Sequence, residues 1–144
     1  PCDKERVAGG AVYVAPANYH LLVERDLTLS LSTEEPVHWS RPSIDVLFES
    51  AARAWGRHVV GVLLTGGNAD GVEGLLAIRA AGGLTLVQDP STAESPAMPR
   101  AAIRAGAAQR VLSLEEMAKL LVGIGREPQG DGTPQVPGLE EVQS

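Results

Sequence analysis

The sequence predicts a three-layer, Rossmann-like α/β fold: a mostly parallel sheet with helices on both faces, preceded by a small antiparallel β unit. Three observations carry that expectation. From Trp55 onward, strand-like aliphatic runs alternate with helical patterns in the order β-α-β-α-β-α, which calls for parallel strands joined by right-handed crossovers. Residues 59–64 form one continuous aliphatic run, the pattern of a strand buried on both faces of a parallel sheet. Aromatic residues make up only 3 % against 44 % hydrophobic overall, so the core has to be built from Ala, Val, Leu and Ile. Aliphatic strands under alanine-rich helices satisfy that composition.

Taken in order, Val12-Tyr13-Val14-Ala15 is a short apolar run ended by Pro16. Residues 20–24 and 27–31 follow, separated by Arg25-Asp26, and Leu27, Leu29 and Leu31 alternate with Thr28 and Ser30. Period-2 alternation marks a half-buried strand, so this stretch is the antiparallel unit. Residues 32–40 contain Pro36 and read as a connecting loop. Ser43 can cap a helix running to Trp55, whose apolar positions Ile44, Leu47, Phe48, Ala51, Ala52 and Trp55 keep helical spacing, with Gly56 as the stop. After the 59–64 strand, a loop at 65–69 leads into a helix starting near Asp70 and ending at Gly82-Gly83. Residues 84–87 are a strand, 99–105 a short helix and 110–112 a short strand. Ser113 and Glu116 form a capping box opening a last helix that should bury Leu114, Met117, Leu121 and Ile124.

Residues 126–144 change to Gly, Pro, Gln and acids, the composition of a disordered tail or linker, which leaves 1–125 as the folded domain. Three parallel strands make a small sheet with two edges to cover. The chain also starts on Pro1 rather than Met, and an upstream βα half is expected to complete the sheet; the alternative is a complete small α/β domain.

The net charge of −6, with no Lys/Arg-rich run, argues against nucleic acid as a partner. Cys2 is the only cysteine, so no internal disulfide or thiolate metal cluster can form, which fits a cytoplasmic setting. No apolar run is long enough to enter a membrane as a spanning helix, and no signal segment opens the chain.

Chemistry is expected in Thr65-Gly66-Gly67-Asn68-Ala69-Asp70-Gly71, directly after the 59–64 strand. In open parallel sheets, ligands and catalytic groups collect at the carboxyl ends of strands. A carboxylate at Asp70, favoured in its ionised form by a helix N-terminus, is what a histidine base needs to hold its tautomer. The plainer reading is a helix N-cap and nothing more. The loop fits neither glycine-rich phosphate motif and has no lysine, and Asp70 would repel a phosphate. The three histidines, His20, His38 and His58, lack metal-site spacing and are expected to be structural or solvated. No Gly-x-Ser-x-Gly elbow exists, and Ser43 reads as a helix start rather than a nucleophile.

Several segments together resemble the chemotaxis protein-glutamate methylesterase (CheB-type) catalytic domain. They are Tyr13-Val14-Ala15-Pro16 followed by His20; Arg41-Pro42-Ser43-Ile44-Asp45-Val46-Leu47-Phe48; Gly61-Val62-Leu63-Leu64-Thr65-Gly66 with Asp70-Gly71; Gln88-Asp89; and Ala97-Met98-Pro99 followed by Ala102. The likeness runs over residues 6–125, in the family's order and spacing. It implies the C-terminal portion of that domain, with Asp70 as the acid of a Ser-His-Asp triad whose serine and histidine lie upstream. The implied reaction is hydrolysis of glutamate methyl esters on the cytoplasmic helices of chemoreceptors, with glutamine deamidation as a second activity. It implies no metal or organic cofactor, and a receiver domain or other signalling module as a further partner. Gly66 and Gly67 fall in the substrate and oxyanion region. Arg41 either shapes the cleft or is a surface charge flanking a helix. The isolated chain is expected to be inactive. Two departures stand out: Gly67 and Asn68 replace the Met and Gly of the family's Thr-Gly-Met-Gly-x-Asp-Gly loop, and Ala97 precedes Met-Pro where glycine is commoner. The first of these motivates the competing expectation, a degenerate, non-catalytic signalling scaffold of the same fold.

Overall fold

A computed structural model describes residues 1–126; the expected tail at 126–144 lies outside the described residues apart from Arg126. A hairpin of β1 (His20–Val23) and β2 (Leu29–Ser32) comes first, then α1 (Ile44–Trp55), β3 (Val60–Leu63), α2 (Val72–Ala80), β4 (Leu84–Gln88), α3 (Ala97–Arg104), β5 (Arg110–Leu112) and α4 (Leu114–Arg126). Strands β3, β4 and β5 make a parallel sheet in that order, with Leu63 opposite Val87 and Gln88 opposite Leu112.

The sheet is covered on both faces. Leu63 and Val87 pack with Val72 and Leu75 of α2 and with Met98 and Ala102 of α3. Leu84, Leu86 and Leu112 pack with Met117 of α4, joined by Val60, Val62, Leu120 and Ile124. The strand buried throughout is β4, whereas Val60 and Val62 of β3 are only half-buried. The 59–64 run, expected to be buried on both faces, is thus fully buried on one face and half-buried on the other.

The hairpin packs on α1 rather than on the sheet: Leu21, Val23 and Leu29 join Ala51, Ala52 and Val59 in one cluster. Burying Val23 there requires a partner for its amide, and Ser50 Oγ accepts it at 2.9 Å while donating to Leu47 O at 2.8 Å. Residues 12–15 are not a strand; Val12 and Val14 face solvent, and only Tyr13 and Ala15 pack on the hairpin cluster.

Ser43 caps α1 and Gly56, with φ of 53°, ends it. The Ser113–Glu116 capping box forms, Glu116 Oε1 accepting from Ser113 N–H at 3.0 Å and Ser113 Oγ from Glu116 N–H at 3.2 Å. The face of α4 differs from the expected one: Met117 is buried, but Leu114 and Leu121 are exposed and Leu120 packs instead. Helix α3 begins at Ala97, earlier than its proline suggested, because Pro99 falls in the first turn, where a missing N–H costs nothing.

Candidate functional site

The site gathers where the N-termini of α1 and α2 meet beyond the carboxyl end of β3. Asp70 does not cap its own helix: Gly71, with φ of 97°, is the N-cap of α2, and α2 starts at Val72. The Asp70 carboxylate reaches across to α1. Its Oδ1 accepts from Ser43 Oγ at 2.7 Å and Asp45 N–H at 3.1 Å, and its Oδ2 from Ile44 N–H at 2.7 Å. In return, Asp45 Oδ1 accepts from Gly71 N–H at 2.9 Å and Gly74 N–H at 2.8 Å of α2. Each helix is thus capped by the other's aspartate. The exchange satisfies amides that a helix start leaves orphaned and places a carboxylate in the positive field of each N-terminus. Both residues are 3 % exposed.

Burial pushes the Asp45 carboxyl above the ordinary carboxylate range, and the nearby Asp70 charge pushes the same way, against the lowering pull of the Gly74 and Gly71 amides and His38. A raised folded-state value means that Asp45 favours the fold fully below its unfolded value and loses that contribution as pH rises through the folded one. Asn at position 45 keeps an oxygen for both glycine amides without the charge. Asp45→Asn is therefore expected to match or exceed the parent's melting temperature at pH 7, with any advantage vanishing below pH 4 on the ~3.9 reference scale for Asp. Asp45→Ala loses the cap and should cost about 1–2 kcal/mol at either pH. Paired thermal melts across pH check both.

His20, Ser43 and Asp70 lie together but not as a triad. Ser43 Oγ donates to Asp70, whereas His20 Nδ1 accepts the Ser43 backbone N–H at 3.2 Å and His20 Nε2 faces Glu35 O at 2.9 Å. Those partners place the ring proton on Nε2, aimed at a carbonyl. Among the described residues no histidine nitrogen meets a serine hydroxyl, so His20 is a buried tie between the hairpin and the start of α1. His58 is exposed, and His38 Nε2 sits 3.3 Å from Asp45 Oδ2.

The loop after β3 is fastened to the loop after β4. Gln88, buried at the end of β4, accepts Thr65 N–H through Oε1 at 3.0 Å and donates through Nε2 to Thr92 O at 3.2 Å. Gly66 N–H donates to Ser95 O at 2.9 Å, and Met98 N–H donates to Gly66 O at 3.0 Å. A Cβ on Gly66 would come within 2.5 Å of Met98 Cε. Its amide is committed, so Gly66 shapes the loop and has no N–H to offer a substrate. The exposed Gly67 has no such bond among the described residues. Asn68 Oδ1 accepts Asp70 N–H at 2.9 Å, which fixes the turn into Asp70. Arg41 is turned toward the 32–40 loop, its guanidinium donating to Thr33 O at 3.1 Å and Glu34 O at 3.3 Å.

The partner exchange with Asp45 was missed in the sequence. Its one trace is that Asp45 and Asp70 each stand at a helix start, which also suits self-capping. Among the described residues, no group of three or more His, Cys, Asp or Glu is placed to hold a metal, and no helix is long and apolar enough to cross a membrane.

The family model described as CheB methylesterase matches residues 1–121. A Leptospira interrogans relative is 54 % identical over 122 residues, covering 85 % of this chain and 63 % of that protein. The protein-glutamate methylesterase/protein-glutamine glutaminase 2 of Pseudomonas aeruginosa is 45 % identical over 123 residues, covering 83 % of this chain and 35 % of that one. The crystal structure of the Thermotoga maritima CheB methylesterase catalytic domain superposes with a TM-score of 0.80 at 28 % identity, covering 84 % of this chain and 66 % of that chain. The chain thus spans less than two thirds of the length of these two relatives.

Proposed function

Because this chain belongs to the CheB methylesterase family, we propose that it is the C-terminal part of a protein-glutamate methylesterase catalytic domain, with Asp70 as the triad acid. The supporting observation is the state of the Asp70 carboxylate. A carboxylate accepts about four hydrogen bonds, and Asp70 receives three donors, two on Oδ1 and one on Oδ2. One acceptor position stays open on Oδ2, on a side chain held rigidly by two backbone amides and a hydroxyl. An imidazole N–H placed there would have its tautomer fixed and its protonated form supported.

In this reading the nucleophilic serine and the histidine base come from residues preceding Pro1 in a longer polypeptide. The serine attacks the ester carbonyl of a methylated glutamate, the histidine takes its proton and returns it to the departing methanol, and water then hydrolyses the acyl-enzyme. Ammonia leaves in the same way from glutamine. The oxyanion donor on this chain would be Gly67 N–H rather than Gly66 N–H. Methylated chemoreceptor cytoplasmic helices are the substrate, a receiver domain or other signalling module is a further partner, and no cofactor takes part. Residues 1–125 are the C-terminal portion of the methylesterase domain in this reading, and 126–144 a tail or linker.

The 144-residue chain alone is expected to release no methanol from a methylated receptor fragment, whereas the longer polypeptide releases it. Hydrolysis by the isolated chain would overturn the upstream placement of serine and histidine. A folded longer polypeptide without ester hydrolysis would instead favour the scaffold reading.

A further inference from the structure

Gln88 closes β4, the strand buried along its whole length, and is itself 3 % exposed. A buried amide is unfavourable unless its polar atoms find partners, and an aliphatic residue would fill the same space without that demand. The Gln88 side chain does find partners, and they lie in two different loops. Oε1 accepts Thr65 N–H at 3.0 Å, from the loop after β3. Nε2 donates to Thr92 O at 3.2 Å and to Thr92 Oγ1 at 3.4 Å, in the loop after β4. Thr65 Oγ1 adds a second tie, accepting Ser95 N–H at 2.7 Å and donating to Ser95 O at 3.2 Å.

The clamp ends on the peptide group that joins Gly66 to Gly67. Gly66 N–H is taken by Ser95 O at 2.9 Å, and Gly66 O by Met98 N–H at 3.0 Å. The C=O and N–H of a trans peptide point in opposite directions, and the bond between Gly66 and Gly67 is trans. With its carbonyl drawn onto Met98, that peptide turns Gly67 N–H away from the start of α3, and no acceptor among the described residues takes it. Met98 lies in the first turn of α3, at the positive end of the helix, so its N–H polarises the peptide and strengthens Gly67 N–H as a donor.

We infer that Gln88 is a positioning residue for the oxyanion site, holding the loop through Thr65 so that Gly67 N–H stays aimed at the ester carbonyl oxygen; this rests on the methylesterase reading above, with Gly67 N–H as a donor. A donor stabilises the developing negative oxygen to the extent that it is aimed before the reaction begins. Without Gln88 Oε1, Thr65 N–H has to find another acceptor, and the loop shifts two residues ahead of Gly67. Substrate binding in the ground state does not draw on that donor, so the loss falls on the chemical step.

The test is steady-state kinetics of the longer polypeptide on a methyl-esterified receptor cytoplasmic fragment, with a thermal melt of each variant. Gln88→Met keeps the bulk of the side chain and removes its hydrogen bonds; it is expected to lower kcat ~10–100-fold with KM within about threefold of the parent. Thr65→Val, at an exposed residue, removes only the ties to Ser95 and should lower kcat by about 3–10-fold with little change in Tm. Gly67→Pro removes the donor itself and should cost ~10²–10³ in kcat. Adding Gln88→Met to Gly67→Pro should then cost no more than about twofold further, since both act through one N–H. An unchanged kcat in Gln88→Met, or in Thr65→Val where the former does not fold, would overturn the inference. So would losses that multiply in the double variant, which would mean that Gln88 acts elsewhere than through Gly67 N–H. If Gly67→Pro is as fast as the parent, Gly67 is no donor and the inference falls while the triad reading stands. If the parent polypeptide does not hydrolyse the fragment, the methylesterase reading fails first and the positioning role with it.

Discussion

Asp70→Asn, made in the longer polypeptide, is expected to lower turnover by up to ~10⁴, the scale of a histidine held in the wrong tautomer. The structure adds a second effect to be separated from it. Both Asp70 oxygens accept from donors on α1, so an Asn NH2 must oppose either the Ile44 amide or the Ser43 and Asp45 donors. That mismatch should cost about 2 kcal/mol. Native stability of roughly 5–15 kcal/mol leaves such a variant more than nine-tenths folded. Unfolding cannot then account for a loss of thousands-fold, and a thermal melt beside the rate measurement separates the two. Ser43→Ala is the control: it removes one donor from Oδ1 and leaves the open position on Oδ2 intact, so turnover should stay within about tenfold at a cost of about 1 kcal/mol. If Asp70→Asn lost no more activity than Ser43→Ala, Asp70 would be a cap and not a triad acid.

Gly74→Ala is the largest expected change in stability. Alanine in a helix interior normally gains about 1 kcal/mol over glycine, so the sign itself is informative. At Gly74 an added Cβ would lie 2.5 Å from Phe48 Cβ, 3.1 Å from Asp45 Cα and 3.2 Å from Asp45 O. Two of those atoms are backbone, and no rotamer change relieves them. Helices α1 and α2 would have to separate at the point where Asp45 and Asp70 exchange caps. Overpacking of about 1–3 kcal/mol, plus a weakened cap, gives about 2–4 kcal/mol, or roughly 10 °C in Tm for a domain of this size. A Tm equal to or above the parent's would show that the two helix starts do not touch. In the active polypeptide the same change should lower turnover, because it moves the elements that hold the Asp70 carboxylate.

Much of the fold was legible in the chain. The Ser43 cap, the Gly56 stop and the Ser113–Glu116 box are local events, decided by a side chain and amides three residues away. The alternation of strands and helices was legible because each element must bury one face. What failed depended on neighbours distant in sequence. Residues 59–64 were expected to be buried on both faces, but the strand buried throughout is β4, since aliphatic content does not report what packs over each face. Leu121 and Leu120 are adjacent leucines on α4, and only the sheet's position decides which one packs.

The same division runs through the site. By itself the sequence determined that an aspartate follows a parallel strand through a glycine-bearing loop, because spacing and residue type are local properties. Only the tertiary structure decided what that carboxylate touches: it leaves its own helix start to Asp45 and takes the start of α1, 25 or more residues away in the chain. The reason is geometric. Two helix N-termini brought together by Gly74 present amides to each other's first turn, and the shortest route from each carboxylate to unsatisfied N–H groups runs across the contact.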